Sequence, residues 1–285
     1  MKRVMFALLL AMAIAPSAWA QSWPNEPAGS TVINDYNWNS CPGGGWQPAY
    51  GCGSIKSDST APHSPNSVLS FTYNPSIGGG GGDPYIQVNN LSEWYTGFWV
   101  WMDPNFVGTA SQTNKIVAFI QSDGSYFWLE AGAYCDYCYG GPFKPHWALS
   151  TRPNQPYLNN CHLPGYGDCP GTLSLPSPTG TTITKGVWHR MEVYAKKSTS
   201  DTSRDGILRW WMDGVQQGYL TNVNFGGALA MINFTPAWAP FKEEHWTHPS
   251  EWRFDHVRVS APGGGGSAPK GDTTPPSSPV NLRAQ

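Results

Sequence analysis

Three short segments of the chain carry side chains that together could hold an acidic sugar and remove a proton from it. Arg190, Glu192, Tyr194 and Lys196 alternate along one segment, Arg209 and Trp211 along a second, and Lys115 and Gln121 bracket a third. Taking a proton alpha to a carboxylate needs a Tyr or His as base and acid. It also needs Arg, Lys, Asn or Gln to neutralise the carboxylate as the enolate forms. Tyr194 and His256 are the candidates for the proton, and Lys115 and Arg209 for the developing charge. Gln121, Arg190, Glu192 and Lys196 would bind sugar hydroxyls and carboxylates. Trp99, Trp101 and Trp211 would stack on pyranose rings, where apolar C–H surface meets a π face. The bland alternative is that these rows satisfy one another as cross-strand ion pairs.

The elements that would position these groups are strands. Met191, Val193 and Ala195 alternate with the polar row of Trp188–Lys196, as they do when one face of a strand is buried. Asp205-Gly206 and Asp213-Gly214 bound the partner segment Ile207–Met212, so the two read as an antiparallel pair. The same alternation would put Lys115 and Gln121 on one side of their strand and Ile116, Ala118 and Ile120 on the other. Further strands are expected at 67–73, 85–89, 94–102, 126–131, 147–151, 231–234 and 252–260, with Gly78–Gly82 and Asp123-Gly124 as separators. Many strands and no convincing helix mean an all-β, two-sheet antiparallel jelly-roll sandwich.

Composition narrows the class. Of 285 residues, 32 are Gly, 26 Pro and 15 Trp, and only 13% are charged. That mixture suits short strands joined by many turns. A net charge of −2 argues against nucleic acid or an anionic membrane as partner, since both want a basic field. Residues 1–20 read as an export signal: Lys2 and Arg3, an apolar core from Val4 to Ala15, then Ala18-Trp19-Ala20. A secreted or periplasmic chain beginning near Gln21 is expected to hold its six cysteines as disulfides rather than as zinc ligands or a redox pair. Cys41–Cys52 is the one pairing the spacing favours. The jelly roll is assigned to 21–261. Beyond it, Gly263–Ser267 is a flexible tether and Pro269–Pro279 an extended spacer, followed by what looks like the opening of a fibronectin type III module.

Four stretches, Trp94–Asn105, Asn114–Phe119, the Trp188–Gly214 hairpin and Phe254–Ser260, resemble the concanavalin-A-like jelly rolls of secreted carbohydrate-active proteins, and among them the heparin-lyase-I-like polysaccharide lyases. The resemblance implies a polysaccharide partner, engaged by a monomer, and β-elimination on a uronate-containing glycan. A noncatalytic carbohydrate-binding or adhesion module is the alternative. It also implies a structural calcium held by Asp255, with Asp35 as an N-terminal partner. The paired glutamates of glycosidases on this fold are missing, which disfavours hydrolysis. The Arg-x-Glu-x-Leu and Gln-Ile-His strands of alginate lyases are not reproduced either. Arg190-Met191-Glu192 is only a partial echo.

Overall fold

The computed structural model describes residues 23–73, 82–107, 114–132, 144–150, 162–163, 167–168, 172–175, 181–200, 202–223, 225–234 and 249–262. The export signal, the C-terminal tether, Cys135, Cys138, Cys161, Cys169, His245 and His248 lie outside these residues. Among the described residues there is no helix. The strands are β1 (Thr31–Tyr36), β2 (Gln47–Cys52), β3 (Ser54–Lys56), β4 (Val68–Tyr73), β5 (Gly82–Leu91), β6 (Glu93–Met102), β7 (Lys115–Gln121), β8 (Tyr126–Gly132) and β9 (Lys144–Ser150). They continue with β10 (His162–Leu163), β11 (Gly167–Asp168), β12 (Thr172–Leu175), β13 (Trp188–Lys196), β14 (Gly206–Met212), β15 (Val215–Val223), β16 (Leu229–Asn233) and β17 (Ser250–Ala261).

Two antiparallel sheets face each other as a jelly-roll sandwich. One has eight strands in the order β15-β14-β13-β6-β17-β4-β3, with β1 also on β17. The other has seven, in the order β12-β9-β8-β7-β16-β5-β2. β17 serves two neighbours along one edge, pairing β4 through Ser250–Phe254 and β1 through Val257–Ala261. Its other edge pairs β6, with a bulge between Asp255 and Val257 that leaves His256 at a φ of 40°.

The inner faces follow the alternation. Trp94, Phe98, Val100, Met191, Val193, Leu208 and Trp210 meet Ile86, Val117, Phe119, Phe127, Leu129 and Ile232 in one buried cluster. Fully burying a side chain of Phe or Leu size contributes about 1.5–3 kcal/mol, so this interface is the main source of stability. At one end Trp38, Trp46 and Phe234 pack with ring centroids 4.9–5.6 Å apart. The expected Cys41–Cys52 disulfide closes the loop beside them. β15 was not among the expected strands. Gln216, Gln217 and Gly218 break the apolar alternation, but Gly218 leaves room for the Trp210 ring, whose atoms a Cβ there would approach within 2.0 Å.

Candidate functional site

The two outer faces of the sandwich are opposite in character. On the eight-stranded sheet Glu93, Tyr95, Trp99, Trp101, Arg190, Glu192, Tyr194, Arg209, Trp211, Arg253, Asp255 and Arg258 all turn away from the core, as alternation requires. Most of their polar atoms are already matched. Glu192 is completely buried and takes the Tyr95 hydroxyl at 2.7 Å, Arg190 at 3.0 Å, and the backbone and side-chain amides of Asn25 at 3.1 Å. Tyr194 donates to Glu93 at 2.6 Å, and Lys196 reaches the same carboxylate at 3.6 Å. Burial and the Glu93 carboxylate push the Tyr194 phenol far above its ordinary value, and its hydroxyl is engaged by that carboxylate. Arg209 is buried between the Tyr194 and Tyr219 rings and donates to the Tyr219 hydroxyl at 2.7 Å.

Part of this face is also covered. Trp23 packs with Tyr95, Tyr194 and Trp211, and it fits only because residue 97 is glycine: a Cβ there would lie 2.5 Å from the indole. Trp101 carries the Arg253 guanidinium 4.3 Å above its ring, and Arg190 lies 5.9 Å from the Trp99 ring.

The two carboxylates expected to hold calcium have these surroundings. One oxygen of Asp255 accepts the backbone N–H groups of His63 and Ser64, at 2.7 and 3.0 Å. Asp35 is bound by His256 and by Arg258. Calcium wants a cage of oxygens; Asp35 is taken up by cations and Asp255 Oδ2 by N–H donors, while Asp255 Oδ1 is buried without a hydrogen-bond partner. His256 is buried, bonded to Asp35 and tilted against His63 and Trp23, with ring centroids at 3.7 and 5.4 Å. Among the described residues no cluster of three or more His, Cys, Asp or Glu is arranged to hold a metal.

Lys115 lies on the other sheet, so the expected single trough uniting it with Tyr194, Arg209 and His256 does not form. Stacked sheets stand about 10 Å apart, and the two sets point away from each other. Gln121 does not accompany Lys115 either. A bulge between Lys115 and Val117 shifts the phase of β7 by one residue. Val117 and Phe119 consequently enter the core while Lys115, Ala118 and Ile120 face out, and Gln121 is buried with its side chain held by Ser125.

Around Lys115 the outer face of the seven-stranded sheet assembles a different constellation. Lys115 is opposite Glu130, and Ala118 is flanked by Trp128 and Asn233. Asn233 is in turn opposite Tyr85, and Glu130 is opposite position 146, a histidine, on β9. Ala118 is buried against Trp128, with Tyr126 packed on the pair. Tyr126 and Trp128 stack at 5.2 Å and 26°, the Lys115 ammonium lies 4.6 Å over the Trp128 ring, and the indole N–H donates to Glu130.

Asp83, two residues before Tyr85, is hydrogen-bonded to the Asn233 side chain, and burial raises its carboxyl above the ordinary 3.8 against the pull of that bond and of Lys115. Asp83 Oδ1 and Asn233 Oδ1 are both buried without a hydrogen-bond partner. Sequence reasoning passed over Asp83, Tyr85 and Asn233, though a signal was there. Asp83, Tyr85 and Gln87 alternate with Pro84, Ile86 and Val88, and Met231 and Asn233 alternate with Ile232 and Phe234.

The sequence matches no protein-family profile, and no curated protein is significantly similar to it. Solved structures do resemble the fold. An endo-β-1,4-glucuronan lyase from the fungus Trichoderma reesei superposes with a TM-score of 0.53 at 16% identity, over 81% of this chain and 96% of that one. The alginate lyase Aly36B gives 0.51 at 17% identity, over 80% and 97%. The alginate lyase vAL-1 from a Chlorella virus gives 0.50 at 12% identity, over 81% and 100%. The chain thus has the jelly-roll fold of these polysaccharide lyases.

Proposed function

We propose that this chain is a polysaccharide lyase that cleaves a uronate-containing glycan by β-elimination on the outer face of its seven-stranded sheet. One observation carries the reading. On a fold shared with glucuronan and alginate lyases, a cation, a tyrosine and a stacked aromatic pair meet on one sheet face around Ala118. Lys115 pairs with the uronate carboxylate and stabilises the charge that builds on it as the C5 proton leaves. Tyr85 takes that proton. The C–H electrons form the C4–C5 double bond, the C4–O4 bond breaks, and O4 leaves with a proton returned by the tyrosine. Tyr126 and Trp128 support the sugar rings. The likeness to glucuronan and alginate lyases supports uronate lyases in general rather than the heparin-lyase-I-like subgroup. Export, read from residues 1–20, suits the Cys41–Cys52 disulfide, because such bonds persist in oxidising compartments.

The test is ultraviolet detection of the unsaturated product on glucuronan, alginate, pectin and heparin. Wild type should generate it on at least one of them, and Lys115→Ala and Tyr85→Phe should generate it far more slowly. Binding to every uronan without unsaturated product would overturn the lyase reading in favour of a carbohydrate-binding module.

A further inference from the structure

Asp83 and Asn233 have no part in the chemistry just described, yet their arrangement is specific. Asn233 is about nine-tenths buried, and the Asp83–Asn233 hydrogen bond joins β5 to β16 diagonally across the register pair Asn233–Tyr85. An ionised carboxylate can only accept, so Asn233 must turn its NH2 group toward Asp83. Its carbonyl oxygen then faces elsewhere. The oxygen of Asp83 that does not take this bond is free as well. Both atoms, Asp83 Oδ1 and Asn233 Oδ1, are buried and unpartnered. Two orphaned acceptors on one patch are costly in the empty protein and call for two donors from a ligand. Lys115 is close enough to Asp83 to act on its charge, so a ligand that pairs its carboxylate with Lys115 can bring neighbouring groups to these oxygens.

On the lyase reading above, that ligand is a 4-linked uronic acid, whose two remaining ring hydroxyls, at C2 and C3, are adjacent O–H donors. We propose that Asp83 and Asn233 form a diol-reading subsite that restricts the enzyme to uronans with free C2 and C3 hydroxyls and rejects polymers O-acylated there. An ester at either position removes the donor, leaves a buried acceptor unmatched and adds bulk to a crowded face. Sites built to hydrogen-bond a hydroxyl discriminate strongly against analogues that lack it, because the protein's own polar group is then stranded.

The test uses one polymer in two forms, glucuronan and glucuronan O-acetylated at C2 and C3, with affinity by calorimetry and turnover by ultraviolet absorbance measured separately. Wild type should bind the acetylated form on the order of 100-fold more weakly. Asp83→Asn and Asn233→Ala should lose affinity for the free polymer and bring the ratio between the two forms toward one. A ratio is insensitive to how much of a variant is folded. Equal affinity of wild type for both forms overturns the inference even if cleavage is normal, and so does a ratio unchanged in both variants. Absence of unsaturated product from any uronan sinks the lyase reading alone, since the affinity ratio still judges the subsite. Binding of neither form overturns both.

Discussion

The two outer faces of this sandwich invert the impression their sequences make. The eight-stranded face carries the dense rows of charge and aromatics: Arg190, Glu192, Tyr194 and Lys196 on β13, Arg209 and Trp211 on β14, Trp99 and Trp101 on β6. In the folded chain most of those groups answer one another. Glu192 is engaged by three residues, Arg209 is clasped by two tyrosines, and Arg253 lies across Trp101 while pairing with Asp58 and Glu251. The seven-stranded face has fewer charges, and two of its buried acceptors have nothing to accept. A dense polar row is what a sheet needs to hold a covering segment such as Trp23–Glu26. On the eight-stranded face Asp255 Oδ1 is likewise unpartnered, so the faces differ in the covering segment and in having two such acceptors near one cation, Lys115, rather than in unmet demand alone.

The sharpest way to break this contrast is to remove one charge from each face. Lys115→Ala should cost roughly 10²–10³ in turnover, the usual loss when a group that stabilises developing charge is deleted, with little change in melting temperature. A small activity loss would move the chemistry off this face. Glu192→Ala should do the reverse. It strands Arg190, the Tyr95 hydroxyl and the Asn25 amides, and breaking one side of a buried ion pair costs about 3 kcal/mol, read as a lower denaturant midpoint with turnover per folded molecule preserved. Selective loss of turnover in Glu192→Ala would return the eight-stranded face to candidacy. Gly97→Ala is a milder probe of the cover: it pushes the Trp23 indole away, and overpacking of this kind costs about 1–3 kcal/mol, again with activity retained.

Much of the fold was legible because it depends on alternation, which is local. The hairpin Trp188–Met212 folds as its period-two pattern and turn residues direct, and β7 keeps its expected bounds. Cys41–Cys52 closes as its spacing suggests. The site was less legible because it depends on which sheet each strand joins. Lys115 and Tyr194 both sit in alternating strands, and nothing in either segment records that one belongs to each layer. The bulge after Lys115 compounds this. It costs one residue of phase, which is enough to carry Gln121 to the opposite side of the sheet from Lys115. Asp83 was hidden differently: the glycine run before it reads as a separator and the expected strand opens at Tyr85, though β5 begins at Gly82.

The smallest effects separate the faces by acid titration. On the eight-stranded face burial alone would raise Asp58 and Glu251, but hydrogen bonds and charges from Thr60 and Arg253, and from Lys56 and Arg253, outweigh it and hold them below their ordinary 3.8 and 4.5. A carboxyl whose folded value is depressed contributes stability above its unfolded value and loses it as pH falls through the folded one. The share of stability held by these carboxylates should therefore be lost progressively below about 4.5, after a first loss below the ordinary 6.5 of His63, which burial and the neighbouring His256 hold in its neutral form in the fold. Asp83 has the opposite sign: burial lifts it above 3.8, so its ionised form costs the fold stability at higher pH, and protonation on acidification relieves that cost. Protonation also removes an acceptor that the diol subsite uses. Affinity for free uronan should consequently fall on acidification at a higher pH in wild type than in Asp83→Asn, while the loss of stability follows the same course in both. Coincident decline of binding in wild type and Asp83→Asn would mean that Asp83 is one more structural carboxylate, and the two faces would then differ in nothing that matters for a ligand.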